Sequence, residues 1–247
     1  MNSVFSCEHI TRSYGNRTIV EDIGLEIKSG GFTSLLGPSG AGKTTLFNVL
    51  AGVDWPGRGK VFLDGEDITG ISGKVSYMLQ KDLLLEYRTV LDNVILPLLI
   101  RGMKKKAARQ QAQSFFLQFG LSGYEKKYPR QLSGGMRQRA ALLRTCMSHN
   151  KVILLDEPFS ALDAITRRQM QDWYRGISLS LELTTLFITH DVDEALLLSD
   201  EVLILNGNPG TITHRLKVNP PRPRDPDFPV SPEFAVQKRT ILRAIGL

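Results

Sequence analysis

The spacing of hydrophobic positions divides the chain into three blocks. At the start they come in short β-like runs, SVFSCEHI, GLEIKSG and FTSLLG, and Phe32 to Leu36 predicts an apolar strand running straight into Gly37. KTTLFNVLAG then puts Leu46, Val49 and Leu50 on one helical face and stops at Gly52, a residue type that ends helices by turning left-handed. GKVFLDGEDIT holds Asp64-Gly65 between apolar runs and predicts a hairpin; KVSYMLQ predicts another short strand. From about Leu91 to Thr145 the period is helical, in AARQQAQSFFLQFGL and again in GGMRQRAALLRTCMS. From Lys151 the pattern alternates: strand KVILLDEP, helix from about Ala161 to Leu179, strand TTLFITH, helix DVDEALLLSD, strand EVLIL, then a hairpin-like TITHRLKV.

Apolar strands alternating with helices predict an α/β fold whose mostly parallel sheet is covered on both faces. An antiparallel β piece precedes that core, and a helical subdomain is inserted at about 88–145. Residues 1–217 are expected to form one domain. The proline-rich NPPRPRDPDFPVSP within 218–247 predicts an extended surface connector to a last short helix, EFAVQKRTILRAIG.

Composition narrows the classes. A chain of 247 residues, 42% hydrophobic and 23% charged, is that of a folded domain and excludes a disordered one. Its net charge of +6 permits a nucleic-acid or anionic-membrane partner, but the basic residues are scattered, and only Lys104, Lys105 and Lys106 form a run. The two cysteines, Cys7 and Cys146, make neither a CxxC pair nor a metal cluster, which fits a reducing compartment. The N-terminus lacks the basic and apolar regions of a signal peptide. VILPLLI is interrupted by Pro97 and closed by Arg101, far short of the roughly 20 apolar residues a bilayer demands.

The chemistry begins with GPSGAGKT, which matches GxxxxGK[ST] at Gly37, Gly42, Lys43 and Thr44, between a predicted strand and a predicted helix. Glycines let the backbone wrap phosphates, so that the amides of Ser39, Gly40, Ala41, Gly42 and Thr45 can point at them, and the helix N-terminus adds positive potential. Lys43 is placed to meet β- and γ-phosphates, and the Thr44 hydroxyl to ligate Mg²⁺. VILLDEP ends a buried strand on Asp156 and Glu157. A lone acidic pair there is usually a solvated turn. After a phosphate loop it predicts a carboxylate that holds Mg²⁺, Asp156, and one that orients and deprotonates an attacking water, Glu157.

Together these motifs give the expected core as a P-loop NTPase, and the chain resembles the ATP-binding cassette family over roughly residues 4 to 217. LSGGMRQR, with Ser133, Gly134 and Gly135, resembles the family signature; SALD, ending at Asp163, the D-loop; THD, with His190, the switch histidine; Gln80 in YMLQKDLLL, the Q-loop; and Tyr14 in SYG, the aromatic that stacks on adenine. Each by itself has a bland reading, as a half-buried strand residue, a surface glutamine or a satisfied histidine; their common order gives them meaning. The resemblance implies that ATP and Mg²⁺ are bound, that Gln80 reaches metal and water, and that His190 touches the γ-phosphate.

With one cassette and no span, coiled coil or second phosphate loop in its sequence, the chain looks like a separate ATPase subunit of a bacterial importer. KDLLLEYRTVLDNVILPLLIRG and PRPRD resemble the nitrate, sulfonate, taurine and thiamine-pyrimidine-precursor group, although Glu86 and Tyr87 stand where that group often has proline and tryptophan. The resemblance implies a peripheral protein on the cytoplasmic face of the membrane. It implies a homodimer joined to permease subunits near Gln80 to Tyr87, and indirectly an external solute-binding protein. Each Ser133 would then complete the site of the other copy. A soluble cassette ATPase acting on nucleic acid or ribosomes is the alternative, and a P-loop kinase would leave LSGGMRQR unexplained.

Overall fold

In the computed structural model, which describes residues 3–246, the strands in chain order are β1 (Ser3–Tyr14), β2 (Arg17–Lys28), β3 (Phe32–Leu36), β4 (Arg58–Leu63), β5 (Glu66–Asp67), β6 (Ser76–Met78), β7 (Val152–Asp156), β8 (Thr184–Thr189), β9 (Glu201–Asn206) and β10 (Thr211–Lys217). The helices are α1 (Lys43–Leu50), α2 (Val90–Val94), α3 (Leu96–Ile100), α4 (Lys105–Phe116), α5 (Gly134–Cys146), α6 (Ala164–Ser180), α7 (Val192–Leu198) and α8 (Pro232–Ala244). The chain divides into two units, one of Met1–Val75 with Arg175–Leu247 and one of Ser76–Tyr174. Among the described residues no helix is long and apolar enough to cross a membrane.

In the first unit β1 and β2 form an antiparallel hairpin, and β4 pairs antiparallel with the other edge of β1. β4 turns into β5 at Asp64 and Gly65, whose φ angles of 50° and 82° are what a two-residue hairpin turn demands. β3 pairs parallel with β8 and with β9, while β10 closes antiparallel on β9. Every residue of β3 and β8 is buried, which is why these strands read as unbroken rather than alternating apolar runs. α1 buries Leu46, Val49 and Leu50, and Gly52 beyond it has a φ of 68° with its N–H donating to the Val49 carbonyl at 3.0 Å.

The proline-rich tail departs from the expected extended connector. It doubles back on its own unit: Arg222 pairs with Asp200 at 2.6 Å with its guanidinium 5.3 Å from the Phe32 ring centre, and Arg224 is buried. Phe228, Phe234 and Ile241 join Leu36, Val192 and Leu196 in one hydrophobic cluster. Prolines hid this from the sequence pattern: Arg222 and Arg224 are satisfied by distant oxygens, and the apolar residues beside them pack on partners far along the chain.

In the second unit β6 and β7 pair in parallel, Ser76 opposite Ile153 and Met78 opposite Leu155. α4 buries Ala108, Ala112 and Phe116, one helical stripe. Pro97 lies in the first turn of α3, where its missing N–H costs nothing. Buried Asn93 pins the preceding turn, its amide donating to the carbonyls of Leu85, Arg88 and Thr89 and its oxygen accepting the Leu85 N–H at 2.7 Å. α6 starts at Ala164 rather than near Ala161, because the Asp163 carboxylate accepts the amides of Ile165 and Thr166 at 3.1 and 3.0 Å and so caps the helix.

Candidate active site

The loop from Gly37 to Gly42 joins β3 to α1 in the first unit. Gly42 has a φ of 95°, and a Cβ there would lie 2.6 Å from Val20 Cγ1; a Cβ on Gly37 would run into the Leu205 carbonyl. The two motif glycines therefore answer to the walls around the loop as well as to its curvature. Lys43 is buried and turned back, its Nζ donating to the carbonyls of Gly37 at 2.8 Å and Pro38 at 3.0 Å. No side chain caps the N-terminus of α1 and no acidic residue lies in its first turn, so no local carboxylate offsets its partial positive charge. Pro38, Ser39, Gly40 and Thr44 are exposed, Thr45 is half-buried and Ala41 is buried.

Tyr14, at the end of β1, is 48% exposed. Its hydroxyl donates to Asp54 at 2.7 Å, Arg12 donates to the same carboxylate at 2.9 Å, and the Arg12 guanidinium lies 4.5 Å from the ring centre. Burial works against the Asp54 charge, but the hydrogen bonds from Tyr14 and Arg12 outweigh it and hold the carboxyl below the usual range. The tyrosine ring is thus held from one side with its rim open. Arg12 and Asp54 carry no motif, and no sequence signal pointed to them.

His190 directly follows β8 and is exposed. Around it Asp191 caps α7, accepting the amides of Asp193 at 2.8 Å and Glu194 at 3.1 Å, and the Asp191 N–H donates to Thr189 Oγ1 at 3.0 Å.

In the second unit Asp156 is buried at the end of β7. The Tyr77 hydroxyl is pushed up by burial, and further by the Asp156 charge with which it hydrogen-bonds. Glu157 follows at a φ of 44°, a conformation that non-glycine residues adopt only when their surroundings hold them there. Its carbonyl accepts Ser160 Oγ at 2.9 Å, and its side chain accepts the Gln80 amide at 3.3 Å. Gln80 and Glu157 are thus brought together.

The signature motif begins α5. Ser133 Oγ accepts the Met136 N–H at 3.3 Å as a helix cap. A Cβ on Gly135 would stand 3.0 Å from Thr166, and one on Gly134 3.6 Å from Leu162, so small residues let this helix start lie against the segment that contains Asp163. Farther along α5, Arg137 pairs with Asp82 at 2.9 Å and Glu86 at 2.8 Å, and Arg144 donates to the Leu83 carbonyl at 2.7 Å. Burial raises Asp82, but Arg137 more than offsets it and the carboxyl sits below its ordinary range. The stretch after Gln80 is therefore fastened to α5.

The family model for ABC transporter matches residues 20–160. An uncharacterized ABC transporter ATP-binding protein of Methanocaldococcus jannaschii is 40% identical over 242 residues, covering 96% of this chain and 90% of its own. An aliphatic sulfonates import ATP-binding protein of Xanthomonas axonopodis pv. citri is 41% identical over 216 residues, 87% of this chain and 85% of that one. Among solved structures, a bacterial ABC transporter cassette in dimeric form superposes with a TM-score of 0.76 at 27% identity, covering 87% of this chain and 99% of that one.

Proposed function

This chain belongs to the ABC transporter ATP-binding proteins, and from that premise we propose that it binds and hydrolyses ATP to energise import of a small solute, an aliphatic sulfonate, through a separate permease. The observation that carries the ATP reading is the loop at Gly37 to Thr45, with its uncapped helix N-terminus and buried lysine. Phosphate oxygens replace the carbonyls of Gly37 and Pro38 on Lys43, and the loop amides take the β-phosphate. Tyr14, about half exposed, stacks on adenine. Gln80 orients Glu157, which accepts a proton from the attacking water, and His190 meets the γ-phosphate.

Among the described residues no cluster of three or more His, Cys, Asp or Glu could hold a metal. Asp156, Thr44 and Gln80 are oxygen donors of the kind that would hold Mg²⁺, which would take its other ligands from phosphates and water and offset their charge. Two copies pair head to tail, each Ser133 facing the nucleotide of the other. The sulfonate assignment is supported by the 41% identical import protein, and the permease helix docks on the stretch around Leu83 to Tyr87, where both residues are exposed.

Glu157→Gln should keep ATP binding, lose turnover by about a hundredfold or more, and accumulate as a dimer in sizing experiments with ATP. Lys43→Ala should lose ATP binding itself. Near-normal turnover in Glu157→Gln rejects it as the base, and undiminished growth of such cells on an aliphatic sulfonate as sulfur source rejects the solute.

A further inference from the structure

The segment after β10 takes no part in the chemistry above, yet it grips both ends of the helix that follows His190, all within the first unit. At the start of α7, Lys238 of α8 pairs with Asp193 at 2.6 Å. At its end the buried Arg224 donates to the carbonyls of Leu197 at 3.3 Å and Ser199 at 2.6 Å, oxygens that a helix terminus leaves without internal partners, and to the Pro220 carbonyl at 2.7 Å. Between these points Phe228, Phe234 and Ile241 pack with Ala195, Leu196 and Leu36, the last being the residue before Gly37. Phe228 and Phe234 meet edge to face with ring centres 5.3 Å apart.

A helix as short as α7 has little stability of its own, so its orientation is set by what packs on it. His190 is carried by that orientation. Both of its neighbours are bonded into the first turn: Asp191 caps it, and Thr189 Oγ1 donates to the buried Glu194 carboxylate. A displacement of α7 therefore moves the histidine, and misplacement near 1 Å can cost a reaction about a hundredfold.

We propose that the segment from Val218 to α8 is a clamp on α7, with Arg224 and Lys238 as positioning residues that hold His190 for hydrolysis. The proposal rests on the reading that His190 meets the γ-phosphate.

Lys238→Glu alters a half-buried pair at the surface and should fold normally. It is expected to lower kcat about threefold with ATP Kd and Tm nearly unchanged, and adding Asp193→Lys should recover most of the loss. Arg224→Ala should lower kcat about tenfold; if that variant does not fold, the Lys238 series carries the test unaided. Unchanged kcat in Lys238→Glu, or no recovery in the charge swap, overturns the clamp. His190→Ala separates the two readings. If it abolishes turnover while Lys238→Glu leaves it intact, the clamp alone is wrong; if His190→Ala turns over normally, the role of His190 and the clamp both fall.

Discussion

Single residues in the candidate site are defined by the partners that the fold gives them. Asp156 has Tyr77, Glu157 has Gln80, and Tyr14 has Arg12 and Asp54. The motif glycines were legible as a loop, but at Gly42 the φ of 95° is joined by a wall the motif does not show, Val20 of β2, 2.6 Å from where a Cβ would stand. Asp82 gives a residue-scale prediction. Its carboxyl is held below its ordinary range in the folded protein, so it contributes stability above the unfolded value of about 3.9 and loses it as pH falls through the folded one. Asp82→Asn should therefore lower Tm at neutral pH, by an amount equivalent to about 1 kcal/mol for a partly exposed pair. The gap to wild type should close as pH drops below about 4. A gap independent of pH would rule out the ion pair with Arg137 as its source.

For the elements, hydrophobic period was a reliable guide to strand and helix, and side-chain caps decided where helices begin. Ser133 and Asp163 each accept amides from the first turn of the helix they precede. In the sequence the run after Gln80 resembles that of an importer group without showing what holds it; fastened to α5 by Arg137 and Arg144, it becomes a candidate lever between a docking partner and the signature helix. If a permease helix sits there, a cysteine at Tyr87, 76% exposed, should crosslink to a cysteine in the permease's cytoplasmic loop in assembled membranes. Absence of any product in a transporter that still hydrolyses ATP would exclude that docking site.

For the whole molecule, two phosphate-binding devices in one chain make sense if two copies share them, as closed twofold dimers allow. Mixing Ser133→Arg subunits with Lys43→Ala subunits places both lesions on one composite site and leaves the other whole. Such mixtures should hydrolyse ATP when neither parent does, measured as turnover after co-purification of differently tagged copies. Silence in verified heterodimers would mean that Ser133 does not act across the dimer.

The sequence by itself marked the candidate residues for the chemistry and the element beside which each lies. Those properties depend on neighbours a few positions away: a glycine loop between strand and helix, a carboxylate pair at the end of an apolar run, a serine before two glycines. Tertiary structure alone decided the partnerships, Arg12 with Asp54, Gln80 with Glu157, Arg137 with Asp82, and Arg224 of the tail with α7. Each joins groups that only a chain reversal brings within hydrogen-bond reach. The periodicity of a sequence records which face of an element is buried and carries no record of what it is buried against.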